Sequence, residues 1–465
     1  MKMNIAYFSS EVFPYSKTGG LADVAGALPL ALGALGHKIH VFTPLYKDIS
    51  PQKLTKSYGY SRIHDNVALY FIKNDLFYKR EGIYGSESGD YEDNLLRFSF
   101  FCKESLHIIQ NIGEKIDLYH CNDWHTALIP ILLRSRVENN VPFFRNSKSL
   151  FTIHNLAFQG RADIDKFYSL GLASKYRDVL DFGGQLNLLK GALLCSDAVN
   201  TVSPTHSREI RSYEYGMGLQ YILQMISNKL SGIVNGIDNR IWNPVGDEHI
   251  FDKYSVSTAA AAKQLNKKKF CLETGLKPSK NGMLIGIVTR ISKQKGIDLI
   301  LDTLEQTLKH HSVVILGNGD AAYMDRLKTI SCGCPQRLLV VPEHDESFAH
   351  KVFAASDVFL MPSRFEPCGL TQMIAMSYGT VPVVFPTGGI VDTVKPVTSK
   401  SKTGTGFFMN DYSPDSLNNA LAEAWIIYKN RTSWETLQKR VMKVDNSWNR
   451  SARKYAALYE ELLTK

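Results

Sequence analysis

The chain has 465 residues, 44% hydrophobic and 21% charged, with 54 lysines and arginines against 45 aspartates and glutamates for a net charge of +9. That length exceeds what one core usually serves, so two domains are expected, and the apolar content excludes a largely disordered chain. The positive charge favours anionic partners, yet the basic clusters "KQLNKKKF" and "KPVTSKSK" are short and sit in no RNA- or DNA-binding module, so nucleic acid is not an expected partner. These clusters read as solvated surface, and Lys263 in the first of them as a lysine whose replacement does little. The seven cysteines are scattered and odd in number, unlike a secreted disulfide framework, and Cys332 and Cys334 lack the companions a metal site needs. No signal-peptide core and no bilayer-length apolar run is present, so a cytoplasmic chain without a membrane partner is expected.

In chain order, short β-branched runs recur in the first half: "NIAYFSS", "KIHVFTPLY", "IDLYHCND", "SLFTIHNL", "AVNTVSP" and "SGIVNGI". Amphipathic stretches separate most of them. The alternation restarts with "MLIGIVTRIS", "SVVILGNGD", "RLLVVPEHD", "DVFLMPSRF" and "TVPVVFPTGG", with helical segments such as "QKGIDLILDTLEQTLKHH" between. Alternating strand and helix patterns predict a parallel α/β sheet in each half. The boundary falls near Gly236: residues 1–237 form one Rossmann-like domain, and 238–449 a linker, with a helix around "STAAAAKQLNKKKFC", followed by a second. The amphipathic helix at 450–465 is expected to pack back on the first domain. In paired α/β domains, ligands favour the cleft facing the carboxyl ends of both sheets.

The stretch "YSKTGGLADVAGALP" follows the first strand directly. Leu21, Val24, Leu28, Leu32 and Leu35 mark one helical face, with Gly36 as a stop. The turn Lys17 to Gly20 therefore meets a helix amino terminus, where free N–H groups and positive potential favour anions, and Gly19 and Gly20 let a phosphate or sugar approach the backbone. A second cationic constellation, "TRISKQKG", stands at a strand exit in the second half, where Arg290 and Lys295 are placed to clasp a diphosphate. In "PSRFEPCGLTQM", Glu366 offers a carboxylate to sugar hydroxyls, and the backbone of Gly369, Leu370 and Thr371 with the Thr371 hydroxyl offers donors to phosphate. The "DID" at Asp163 to Asp165 lies outside any strand-end pattern and reads as a solvated loop.

Taken in order, "KTGGLADV", "DWHTAL", "TIHNLAFQG", "VNGID", "RISKQKG", "SRFEPCGLTQ" and "TGGIVDTV" resemble the bacterial glycogen synthase and plant starch synthase family over nearly the whole chain. The resemblance implies a GT-B fold, two Rossmann-like domains facing a central cleft. It implies metal-independent, retaining transfer of glucose from ADP-glucose or UDP-glucose to the nonreducing end of an α-1,4-glucan such as glycogen, with no cofactor. By position, Lys17, Gly19 and Gly20 contact the donor diphosphate and glucosyl region, with Arg290 and Lys295 neutralising the leaving group. Asp123 and His154 line the glucosyl and acceptor side, with Asn155 and Asn235 nearby. Glu366 and the backbone from Cys368 to Thr371 hold glucose hydroxyls. Ile374 stands where many GT-B enzymes carry a second glutamate, which favours the glycogen synthase branch. His344 stands where the bacterial branch has tyrosine, so base selectivity is expected to relax and both donors to be used. The competing readings are a glucan-binding or regulatory protein without turnover, using aromatics such as Tyr84, Trp124 and Phe158, and a phosphorylase-like enzyme.

Overall fold

Apolar runs of four to seven residues form the centre of a parallel sheet in each half, because a strand covered on both faces needs no polar alternation. The computed structural model describes residues 1–86, 89–343, 345–398 and 403–464. One unit comprises Met1–Gly236 with Trp448–Lys465, the other Ile237–Ser447. In the first, the strands of the main sheet are β1 (Asn4–Phe8), β2 (Lys38–Pro44), β3 (Lys53–Leu54), β4 (Tyr58–His64), β5 (Val67–Ile72), β6 (Leu118–Asn122), β7 (Lys148–Ile153), β8 (Ala198–Thr201) and β9 (Leu230–Gly232). They form one nine-stranded sheet in the order β9-β8-β7-β6-β1-β2-β5-β4-β3. The ladders are parallel except at β3–β4 and β4–β5. Helix α1 (Gly20–Ala34) follows β1, and α2 (Asn94–Ile112) lies between β5 and β6 in sequence. Because β1 has β2 on one side and β6 on the other, the β1–α1 turn leaves the sheet where the strand order reverses, the position at which open α/β sheets bind ligands.

The second unit has a six-stranded, all-parallel sheet of β10 (Leu284–Val288), β11 (Ser312–Leu316), β12 (Leu338–Val341), β13 (Val358–Met361), β14 (Val381–Val384) and β15 (Phe407–Phe408), in the order β12-β11-β10-β13-β14-β15. Its order reverses at β10. Helices α3 (Ala259–Thr274), α4 (Ile297–Leu308), α5 (Glu346–Ala355) and α6 (Thr371–Ser377) belong to it, and α7 (Trp448–Thr464) belongs to the first unit. Tyr455 and Tyr459 of α7 are fully buried. The Tyr459 hydroxyl donates to His120 Nδ1 (2.7 Å) and His120 Nε2 donates to Thr152 Oγ1 (2.7 Å). Thr152 Oγ1 in turn donates to Asn200 Oδ1 (2.5 Å), whose Nδ2 donates to the Tyr455 oxygen (3.1 Å). Burial keeps His120 neutral, and a fully satisfied polar chain of this kind fixes α7 across β6, β7 and β8.

The basic cluster on α3 is not the solvated surface expected of it. Lys263 is 2% exposed, and its Nζ donates to the carbonyls of Phe353 (3.3 Å) and Ala354 (3.0 Å) and to Thr380 Oγ1 (2.8 Å). Burial lowers its pKa to about 7. Lys267, one turn on, pairs with Asp357 at 2.6 Å. Residues four apart share a helix face, so Lys263 and Lys267 lie inward with Phe270 while Lys268 and Lys269 remain exposed.

Candidate active site

The turn after β1 is organised by a neighbouring carboxylate. Lys17 Nζ pairs with Asp23 Oδ1 at 2.7 Å and lies 5.0 Å from the Phe13 ring centroid. Thr18, Gly19 and Gly20 are exposed. Gly19 is extended (φ −159°), and a Cβ added there would meet nothing within 4 Å. Neither strain nor packing within the chain therefore calls for glycine at 19, which stands at the N-cap of α1. Glu11, which the motif reading passed over, accepts hydrogen bonds from the Thr18 and Gly19 amides.

Asp123 and His154 meet because β6 and β7 are neighbours with Asn122 opposite Thr152. Asp123 has φ 56° and ψ 176°, a region that non-glycine residues occupy only where surroundings enforce it. Its Oδ1 accepts the amides of His154 (2.7 Å) and Asn155 (3.3 Å). Burial raises its pKa to about 7, against the lowering effect of those two amides and with a further rise from the Glu11 charge. Asn122 Nδ2 donates to the Phe8 carbonyl (2.8 Å), so its Oδ1 is an acceptor and the His154 Nε2–H donates to it (2.9 Å). Burial lowers the His154 pKa to about 3, leaving the ring neutral. Asn155 spends its Oδ1 on the Ala157 amide (3.0 Å), a local turn. Asn235, 5% exposed, has an Oδ1 with no partner among the described residues.

Of the three aromatics considered for sugar contact, Trp124 is packed on Phe98 (5.2 Å) and against Gly160, where a Cβ would lie 2.5 Å from its ring. The Tyr84 ring stacks on His125 at 4.6 Å, and its hydroxyl is engaged by Glu11 and Ser10. Phe158 is 53% exposed. Asp163 and Asp165 are exposed.

In the second unit, β10 and β13 are paired neighbours, so the motifs at their carboxyl ends converge. Lys295 Nζ pairs with Glu366 Oε2 at 2.5 Å, with the two side chains 16% and 9% exposed. Gly296 makes that approach possible: it has φ +75°, and a Cβ there would lie 2.2 Å from the Pro362 carbonyl oxygen. The Arg364 amide donates to the Gln294 carbonyl (2.9 Å), tying the two loops together. The Gly389 amide donates to the carbonyl of Glu366 (3.1 Å), and a Cβ at Gly389 would stand 2.4 Å from Cys368 Cα. Cys368 is buried, Gly369 has φ +72°, Leu370 precedes α6, and Thr371 Oγ1 contacts Met361 Sδ at 3.7 Å. Arg290, exposed just past the end of β10, has no ion-pair or hydrogen-bond partner among the described residues. His344 lies outside the described residues. Among the described residues no group of three or more His, Cys, Asp and Glu is placed to hold a metal ion, and no helix is long and apolar enough to cross a membrane.

Residues 4–225 match the family model described as starch synthase catalytic domain, and residues 274–440 that of glycosyl transferases group 1. The chain is 41% identical over 477 residues to glycogen synthase 2 of Geobacter sulfurreducens, covering 98% of each chain. It is 38% identical to the glycogen synthase of Geotalea uraniireducens, covering 100% of this chain and 99% of that one. The chain belongs to the glycogen and starch synthase family. It is accordingly a glycosyltransferase, and its activity is that of a glycogen synthase. The catalytic domain of starch synthase IV from Arabidopsis thaliana, solved with ADP and acarbose, superposes with a TM-score of 0.90 at 29% identity over the full length of both chains, which sets the family's GT-B fold on this chain. A sucrose-phosphate synthase from Thermosynechococcus elongatus, at 19% identity and TM-score 0.65, shares the fold alone.

Proposed function

We propose that the chain transfers glucose from ADP-glucose to the nonreducing end of an α-1,4-glucan with retention of configuration, in the cytoplasm and without a metal. The observation that carries the residue assignment is the Lys295–Glu366 pair at the carboxyl ends of the two strands that flank the order reversal. In this reading residues 238–449 hold the nucleotide sugar: Arg290 and Lys295 take up charge on the departing diphosphate, and Glu366 with the Cys368 to Thr371 backbone holds the glucose hydroxyls. The Lys17, Gly19 and Gly20 turn also meets phosphate, Asp123 and His154 face the transferred glucose, and Asn155 and Asn235 are supporting contacts. The bond from the anomeric carbon to phosphate breaks with its electron pair on the phosphate oxygen. The bond to the acceptor 4-hydroxyl forms, and that hydroxyl's proton leaves with the nucleoside diphosphate. Fixed cations and dipoles stabilise the leaving charge without reorganisation at the moment of reaction. The relative solved with ADP supports the choice of donor, and His344 is the reason to test UDP-glucose beside it.

Glucose incorporation from ADP-glucose into glycogen tests this reading, and its pH dependence tests Asp123. The ionised carboxylate opposes positive charge at the anomeric carbon, and with a pKa of about 7 it is protonated below neutrality. Activity therefore falls as pH drops through about 7. In Asp123→Asn the profile stays low and loses that acid limb. A limb that persists in the variant belongs to another group.

A further inference from the structure

Glu11 sits in the loop between β1 and α1 and is 3% exposed. Its Oε2 accepts the backbone N–H groups of Thr18 (2.5 Å) and Gly19 (3.3 Å), and its Oε1 accepts the hydroxyls of Thr18 (2.8 Å) and Tyr84 (2.6 Å). Four donors fill the lone pairs of an ionised carboxylate, and such charge-assisted bonds are about twice as strong as neutral ones. Three of them come from the turn itself, immediately before α1. The next two amides, of Gly20 and Leu21, open the helix and have no acceptor within it.

The fourth donor anchors the arrangement to a different part of the unit. Asn94 Nδ2 donates to the Tyr84 carbonyl (2.8 Å), Arg97 Nη1 donates to Asn94 Oδ1 (2.6 Å), and Arg97 Nη2 donates to the Ile83 carbonyl (3.1 Å). Arg97 is fully buried at the start of α2. Burial, aided by the Glu11 charge, raises the Tyr84 pKa, so the phenol keeps its proton and remains a donor.

We propose that Glu11 is a positioning residue: anchored by Tyr84, its carboxylate holds the Thr18 and Gly19 amides so that the Gly20 and Leu21 amides are left to meet the diphosphate of the sugar donor. This rests on the assignment of the Lys17 to Gly20 turn to that diphosphate. Glutamine is not an equivalent: with its oxygen on the two amides its NH₂ group can only donate, so the Thr18 and Tyr84 hydroxyls must turn round to accept, and the charge that strengthens all four bonds is lost.

ADP is the probe, with calorimetric affinity, donor KM and kcat, glycogen co-sedimentation and melting temperature measured on the full chain. Glu11→Gln weakens ADP binding and raises donor KM by about tenfold, with kcat changed by less than about threefold, because the amides bind ground and transition states alike. Tyr84→Phe moves both in the same direction by about threefold, and glycogen retention is unchanged in each. A parallel loss of melting temperature and glycogen retention, or unchanged ADP affinity, overturns the proposal. If Glu11→Gln does not fold, Tyr84→Phe carries the same test, since its ring keeps its packing on His125. Gly19→Ala, whose Cβ enters open space, separates the layers. Unchanged ADP affinity there refutes the turn as a diphosphate site. Weakened affinity there, with normal affinity in the Glu11 and Tyr84 variants, refutes only the role of Glu11.

Discussion

Glu366→Gln lowers kcat for glucan synthesis by about 10²-fold or more while the protein keeps its fold, since in the proposed reading its carboxylate holds the hydroxyls of the transferred glucose as positive charge develops on that sugar. The glutamine still accepts from Lys295 but no longer balances its charge, so the melting temperature falls by less than in the alanine variant. Glu366→Ala differs in a way that the ion pair dictates. It strands the mostly buried Lys295 ammonium, and breaking such a pair is costly because one charge is left uncompensated. The alanine variant therefore loses activity and melts at a lower temperature. Steady-state kinetics beside thermal melts separates the two effects, and glucan synthesis undiminished in a folded Glu366→Gln protein removes Glu366 from the catalytic assignment.

Arg290→Ala weakens binding of ADP and raises donor KM by about tenfold to a hundredfold, because a guanidinium is matched to a diphosphate and this one is exposed with no partner of its own among the described residues. The melting temperature barely moves for the same reason. The control for total charge is Lys268→Ala, an exposed residue on α3. Lys263→Ala is unsuitable: it removes a buried ammonium that holds three acceptors, and the carbonyls and hydroxyl left behind make it a stability variant. Equal losses of ADP affinity in the Arg290 and Lys268 variants, measured by calorimetry, point instead to a diffuse electrostatic effect.

The α/β class was legible because central parallel strands are continuous apolar runs that periodicity detects. The strands β3 and β4 were not, and β5, the apolar run "VALYFI", was legible but passed over. In β4 buried and exposed positions mix along "YGYSRIH", a pattern too weak to separate from a loop. Motifs marked Lys295, Glu366, Asp123 and His154 one by one. Their pairings depended on strand order, since Lys295 reaches Glu366 only because β10 lies beside β13, and Asp123 reaches the His154 amide only because β6 lies beside β7. Glu11 carried a faint signal, a carboxylate in the loop between the first strand and the glycine turn, but nothing in the sequence placed Tyr84 against it. Lys263 was misread because composition marks a basic cluster while helix phase decides which of its lysines face inward.

The central claim is retaining transfer of glucose from a nucleotide sugar to a glucan end, and the fate of labelled glucose tests it most directly. The protein is incubated with ADP-glucose labelled in the sugar, or with UDP-glucose, and glycogen, and the recovered polymer is digested with β-amylase. The account predicts label in the polymer from ADP-glucose, released as maltose, because the new residues are α-1,4-linked at nonreducing ends. Label recovered as free glucose, or no incorporation from either donor by the folded protein, would contradict it.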